Sequence, residues 1–433
     1  MTNKSLSAES LLSSLNIQID TTTDWLRELR EEGLASITAT GLPSKKVEEW
    51  KYISLDKIAK TPFKAAKPST LSQEDIAKFS IADATELVFV DGFFSAELSD
   101  LNDLADGLTV KNLQTALVED PEILRVYLDQ PCAEAVDAFT KLNKALIGQG
   151  TFIKVERKAI IEKPIHILYV STQNETLVAP RNVIVAEALS EVEVLEDYVS
   201  LSEDIVALTN SVSQVYVAEN AVVRHTKNQA QNLSSFHVGT TRAYAEKNSQ
   251  YKSLCFSSGS ALNRNNLDVE LISENAQVEM NGLYVTKESQ VCDNHTVINH
   301  VIGHTESRQL YKGILDGRSR AVFNGKIHIV KDAQLSDSGL LNKNMLLGKG
   351  ARVDTKPELE VYADDVKANH GATVGQLDQN QLFYCQSRNI AKEDARNMLI
   401  HGFMDEVLDS VHNESFRAYI HTFFDSFFDY RGV

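Results

Sequence analysis

Two changes of period divide the hydrophobic pattern of this 433-residue chain. Over residues 1–150 apolar side chains recur mostly at helical intervals. The segment opened by Asp24-Trp-Leu-Arg-Glu-Leu29 predicts a helix stopping at Gly33. Leu113 to Leu146 repeats the helical spacing through Leu117, Leu124, Leu128, Val136, Phe139 and Leu142. Gly41-Leu-Pro43 reads as a turn and residues 61–72 as a linker, while Leu87-Val-Phe-Val90 before Asp91-Gly92 reads as a strand meeting a turn.

Over residues 151–378 the runs become short and β-branched, as in Ile165–Val170, Asn182–Val185, Val192–Leu195, Val215–Val217, Leu267–Leu271 and Lys326–Val330. A small residue recurs after a polar pair and before a strand at Ser190, Ala221, Ser249 and Ala276, with spacings of 31, 28 and 27 residues and later echoes at Ser319, Ala333 and Ala351. One strand-turn-strand unit cannot cover its own apolar face, so such units stack, and a small side chain lets the backbone turn tightly at each corner. The expected fold is mainly β, a parallel β-helix core over 151–378. A mostly helical region over 1–150 and a helical region over 379–433 flank it. A β-sandwich is the competing arrangement for many short strands. In the last region Met398, Leu399, Phe403, Met404, Val407, Leu408 and Val411 form one apolar stripe, followed by an aromatic tail from Phe416 to Tyr430. That stripe suits either local packing or a partner.

Composition narrows the function. Sixty acidic residues against 43 basic ones give a net charge of −17, which disfavours a phosphate-backbone partner. Cys132, Cys255, Cys292 and Cys385 are scattered with no CxxC, so a disulfide framework or zinc ribbon is not expected. No apolar run is long enough for a membrane helix, and Met1 to Ile17 lacks the core of a signal peptide. A cytoplasmic protein is the expectation. GxSxG, GxGxxG and GxxxxGK[ST] are all missing, which leaves a hydrolase elbow, a dinucleotide fold and a P-loop unsupported.

Candidate chemistry concentrates in Val361-Tyr-Ala-Asp-Asp-Val-Lys-Ala-Asn-His-Gly371. Imidazole ligates iron in its neutral form, which makes His370 a candidate metal or cluster ligand. If the segment is extended, Asp364 and His370 share a face. The alternative is a histidine closing a strand beside a glycine turn. Asp293, His295, His300 and His304 are the densest histidine group, to be read either as a metal site or as a solvated edge. Cys385, among aromatics, reads as a small buried hydrophobe.

Several of these segments resemble the SufD branch of the SufB/SufD family of iron–sulfur cluster assembly proteins. They are Gly41-Leu-Pro-Ser-Lys-Lys-Val-Glu-Glu-Trp-Lys-Tyr52, Asp293-Asn-His-Thr-Val-Ile-Asn-His300, Ser307–Gly317, Ala321–Gly325, Val353–Glu360 and the stretch around His370. The resemblance implies a right-handed parallel β-helix and a SufB-like partner joined through the C-terminal edge of that helix. It also implies a SufC-like ABC ATPase docked on the C-terminal helices, where Phe403 and Val407 are the candidate contacts. The chain would then be a non-catalytic scaffold that supports iron supply. It would hold no tight cofactor of its own, and iron or a nascent cluster would pass transiently through the interface. Where family members often carry cysteine this chain has Ala368, so thiolate would come from the partner. The competing readings are a homodimeric SufB-like scaffold and a β-helical carbohydrate-active enzyme, which would need converging carboxylates.

Overall fold

The computed structural model describes residues 5–6, 8–15, 23–128, 130 and 137–427. Cys132, Val136, Phe428 and Tyr430, and residues 1–4, 7 and 16–17 of the N-terminal stretch, lie outside them.

The core is a parallel β-solenoid of eight turns running from Gly150–Val155 to Lys367–Gly375. Each turn gives one strand to each of two sheets, the first ending in Arg352–Val361 and the second in Lys367–Gly375, and every solenoid strand pairs in parallel with strands of the neighbouring turns. This connectivity separates the fold from a β-sandwich, whose strands pair largely antiparallel.

The repeat in the sequence is one corner of the solenoid. Leu189, Asn220, Asn248, Asn275, His304 and Leu335 all have positive φ. Each donates its backbone N–H to the next turn, from Leu189 N to Glu219 O through to Leu335 N to Asp365 O. Asparagine tolerates this conformation and adds a side-chain ladder, with Asn248 donating to Asn220 at 3.0 Å and Asn275 to Asn248 at 3.1 Å. The small residues that follow, Ser190, Ala221, Ser249 and Ala276, are all buried. The later echoes need correction. Thr305 and Ser336 continue this corner, whereas Ser319 and Ala351 lie at the opposite one. Ala333 belongs to the turn just before Leu335.

Inward side chains of both sheets make one continuous core, with Tyr198, Tyr251, Tyr284, Tyr311 and Phe323 among its largest members. At the N-terminal end the sheets close on antiparallel strands Phe93–Asp100 and Leu108–Asn112. The segment expected to be a linker adds Lys64–Ala65 beside Thr176–Val178.

The first long helix is Asp24–Thr40 and runs through Gly33 instead of stopping there. A Cβ at Gly33 would lie 2.5 Å from the backbone nitrogen of Ala145, so this glycine permits close contact with helix Ala138–Ala145. The helical run expected over 113–146 is three helices among the described residues, Leu113–Glu119, Pro121–Leu128 and Ala138–Ala145.

The C-terminal helices Lys392–Leu408 and Glu414–Phe427 lay Ile400, Met404, Val407, Leu408, Phe416 and Ile420 onto the outer face of the second sheet, against Leu195, Leu254, Phe256, Leu283, Val285 and Ile314. Among the described residues no helix is long and apolar enough to cross a membrane.

Candidate functional site

The solenoid is closed at one end and open at the other. Arg352–Val361 and Lys367–Gly375 are the last strands of the two sheets, so each has a solenoid strand on one side only. Where earlier strands are mostly buried, Arg352–Val361 is half-buried along most of its length and Lys367–Gly375 is mostly exposed. Unpaired edge strands present a row of backbone donors and acceptors to any strand that can align with them.

His370 sits in the middle of this edge. Its register partner is Leu340, which pairs with Gln309, which pairs in turn with Met280. Those three positions face inward and are buried, so His370 occupies a core row whose next layer is missing, and it is exposed for that reason. Ala368 and Ala372 flank it on the same face of the strand, two small residues that leave the imidazole accessible. The shared face expected for Asp364 and His370 does not exist. The chain turns a corner between Val361 and Lys367, and Asp364 and Asp365 sit exposed on that corner.

The histidine group also separates. His295 contacts Asp293 at 2.9 Å on the outer face, and Arg264 and His295 hold the Asp293 carboxyl below its ordinary range although burial pushes it up. His300 points into the core, bonded to Thr305 at 2.7 Å and Ser307 at 2.9 Å, and burial pulls its pKa down to about 4. His304 is an exposed corner residue. Among the described residues no cluster of three or more His, Cys, Asp or Glu could hold a metal ion. His370 therefore belongs to no such cluster among the described residues. Cys255 and Cys292 are buried free thiols whose pKa burial raises, which makes them poor thiolate donors. Cys385 is half-buried on helix Gln379–Ser387, not enclosed as its aromatic neighbours suggested.

The two candidate docking residues are not equivalent. Val407 is fully buried against the second sheet and cannot contact a partner while the helix is docked. Phe403 is half-buried under Lys312, whose ammonium lies 4.5 Å from the ring centroid and donates to the Phe403 carbonyl at 2.7 Å. The apolar side chains that do reach solvent here are Phe383, Tyr384 and Met398. Helical periodicity included Met398 in its stripe but missed Phe383 and Tyr384, because most of that stripe is the face turned toward the sheet.

Two family models match successive parts of the chain. Residues 12–167 match the SufBD protein N-terminal region, and residues 169–403 match the SufBD core domain of the SUF system for FeS cluster assembly. The chain belongs to the SufBD family of iron–sulfur cluster assembly proteins. It is 33% identical to an iron–sulfur cluster assembly SufBD family protein of Synechocystis, over 88% of this chain and 87% of that protein. Identity to the iron–sulfur cluster assembly protein SufD of Escherichia coli is 32%, over 90% of each chain. Identity to SufD of Bacillus subtilis is 28%, over 89% of this chain and 90% of that one. The SufBD core match starts within strand Ile165–Ser171 and ends within helix Lys392–Leu408, so it takes in the open edge and His370. Family membership decides between iron–sulfur assembly and carbohydrate chemistry, because the same architecture serves both.

Proposed function

We propose that this SufBD chain is a non-catalytic scaffold subunit that pairs its open solenoid edge with a SufB-like subunit. Iron or a nascent iron–sulfur cluster is the cargo of that seam. The open end carries this reading. Two sheets stop there with their edges unpaired, while the other end closes on antiparallel strands, and a sister solenoid would continue both sheets and cover the half-buried rows. His370 lies on the edge as a single imidazole donor with no thiol beside it. The partner would supply thiolate, and this chain would supply imidazole and support iron delivery.

A SufC-like ABC ATPase is the second partner of the proposal, on the C-terminal helices. Phe383, Tyr384 and Met398 replace Val407 as its contacts, with Phe403 at the margin. The setting proposed is cytoplasmic.

Co-expression with both partners and anaerobic purification tests the assignment. Ala372→Glu with Val374→Glu, two exposed or half-exposed edge positions, should abolish the SufB-like partner from the purified complex and leave the thermal midpoint of this subunit unchanged. His370→Ala should retain the complex and lower its iron and sulfide content. Assembly that tolerates the double edge variant, or full metal content in His370→Ala, would each remove its part of the proposal.

A further inference from the structure

A second site lies on the outer face of the first sheet and reaches its last strand at Glu358 and Glu360. The N-terminal segment around Trp50 and the start of helix Ala138–Ala145 roof a cleft of about 710 Å³ over the outer face of the first sheet. Small-molecule sites commonly span roughly 300–1,000 Å³. The floor is fixed by its own contacts. Arg264 donates to Asp293 at 2.7 Å, to Asn266 at 2.8 Å and to the Glu49 carbonyl at 2.6 Å, and its guanidinium stacks 4.3 Å from the Trp50 ring centroid.

The roof is different. Thr140 is only 4% exposed and lines the cleft, yet its hydroxyl finds no hydrogen-bond partner among the described residues. Asp137 Oδ2, also in the lining, is buried and likewise without a hydrogen-bond partner there. Burial raises the pKa of the Asp137 carboxyl despite the nearby Arg264 charge and the amides of Ala138 and Phe139. Buried acceptors left unsatisfied are unfavourable, so a donor entering the cleft would be stabilised there.

Charge selects the donor. Six carboxylates and four cationic side chains line the cleft, and that surplus disfavours phosphate or carboxylate ligands. Three of the cations are already engaged: Arg264 with Asp293 at 2.7 Å, Lys326 with Glu360 at 2.8 Å and Arg242 with Asp268 at 3.6 Å. Pro43, Val47, Trp50 and Val297 add apolar surface suited to methylene groups. We infer that this cleft binds a small aliphatic amine, whose ammonium group donates to Asp137 and Thr140. The inference does not depend on His370 or on any partner subunit.

Titration of the isolated full chain with spermidine, followed by calorimetry, tests it. Saturable one-site binding is expected at moderate salt, weakened at least tenfold by Asp137→Asn and several-fold by the near-isosteric Thr140→Val. Asp365→Asn, on the exposed corner, should leave it unchanged. Circular dichroism and the thermal midpoint report whether each variant is folded. If Asp137→Asn does not fold, the Thr140→Val result decides alone. Equal weakening by Asp365→Asn would mean that the amine only condenses on an acidic surface and would overturn the site. So would the absence of saturation, affinity unchanged in both cleft variants, or tighter binding of inorganic phosphate than of spermidine.

Discussion

At the residue scale, burial decides what a side chain can do. Val407→Asp should destabilise the subunit by about 3 kcal/mol or more, because it places an unpaired charge in an apolar contact. Phe383→Asp, on an exposed helix face, should change stability by less than about 0.5 kcal/mol and, under the proposed docking, act only on partner binding. Urea denaturation of the two variants separates these outcomes. Glu196 shows the same principle inside the solenoid. Burial opposes its charge, but the charges of His225 and Lys227 and hydrogen bonds from His225 at 2.9 Å and Ser213 at 2.5 Å prevail, and its pKa falls to about 2. A folded-state pKa below the unfolded value of about 4.3 means that the stabilisation is present above that value and lost as pH falls toward 2. Glu196→Gln should therefore lower the midpoint of denaturation at neutral pH and flatten the acid limb between about pH 4.5 and 2.

At the element scale, a buried clasp ties three parts of the chain together. His166 on the solenoid lies 3.0 Å from Glu86 of the strand Thr85–Val90 and 3.5 Å from Asp197, and Asp197 accepts a hydrogen bond from Tyr419 on the last helix. Asn228 also bonds Asp197, at 2.9 Å, and the Phe416 ring packs beside the imidazole. Burial alone would lower the His166 pKa, but the two carboxylates raise it above its ordinary value. The sign then runs opposite to that of Glu196. The contribution is complete below the unfolded value of about 6.5 and is lost as pH rises through the folded one. Hydrogen-exchange protection factors of residues 414–427, taken relative to the intrinsic rate at each pH, should fall from about pH 6 to pH 9 in the wild type. In His166→Gln they should be low at both. Equal protection factors in the wild type across that range would remove the clasp.

At the scale of the whole molecule, stability is a sum over neighbouring turns, with special terms at the ends. The C-terminal helices cover Leu195, Leu254, Phe256, Leu283, Val285 and Ile314, which truncation after residue 378 would bare to water. The truncated chain should keep its β circular dichroism signal but self-associate in sedimentation velocity, because an apolar patch of that size is not left open on a monomer. Association through the other terminus is a separate matter, since antiparallel strands cap it.

Much of this was legible in the chain itself. The corner repeat of small residues announced stacked turns because every turn must solve the same steric problem at the same place. The motif segments marked the family. The sequence also determined that His370 lies on a strand, but not that its row has no next layer. That depends on which strand comes last, a fact about where stacking stops. Periodicity located the helical stripe through Val407 and could not say that the sheet, not a partner, covers it. Gly33 read as a stop because only the packed Ala145 backbone explains a glycine in mid-helix. Local pattern records which face of an element is apolar. Only the tertiary structure determines what that face meets, because contacts between residues distant in sequence leave no periodic trace in either one.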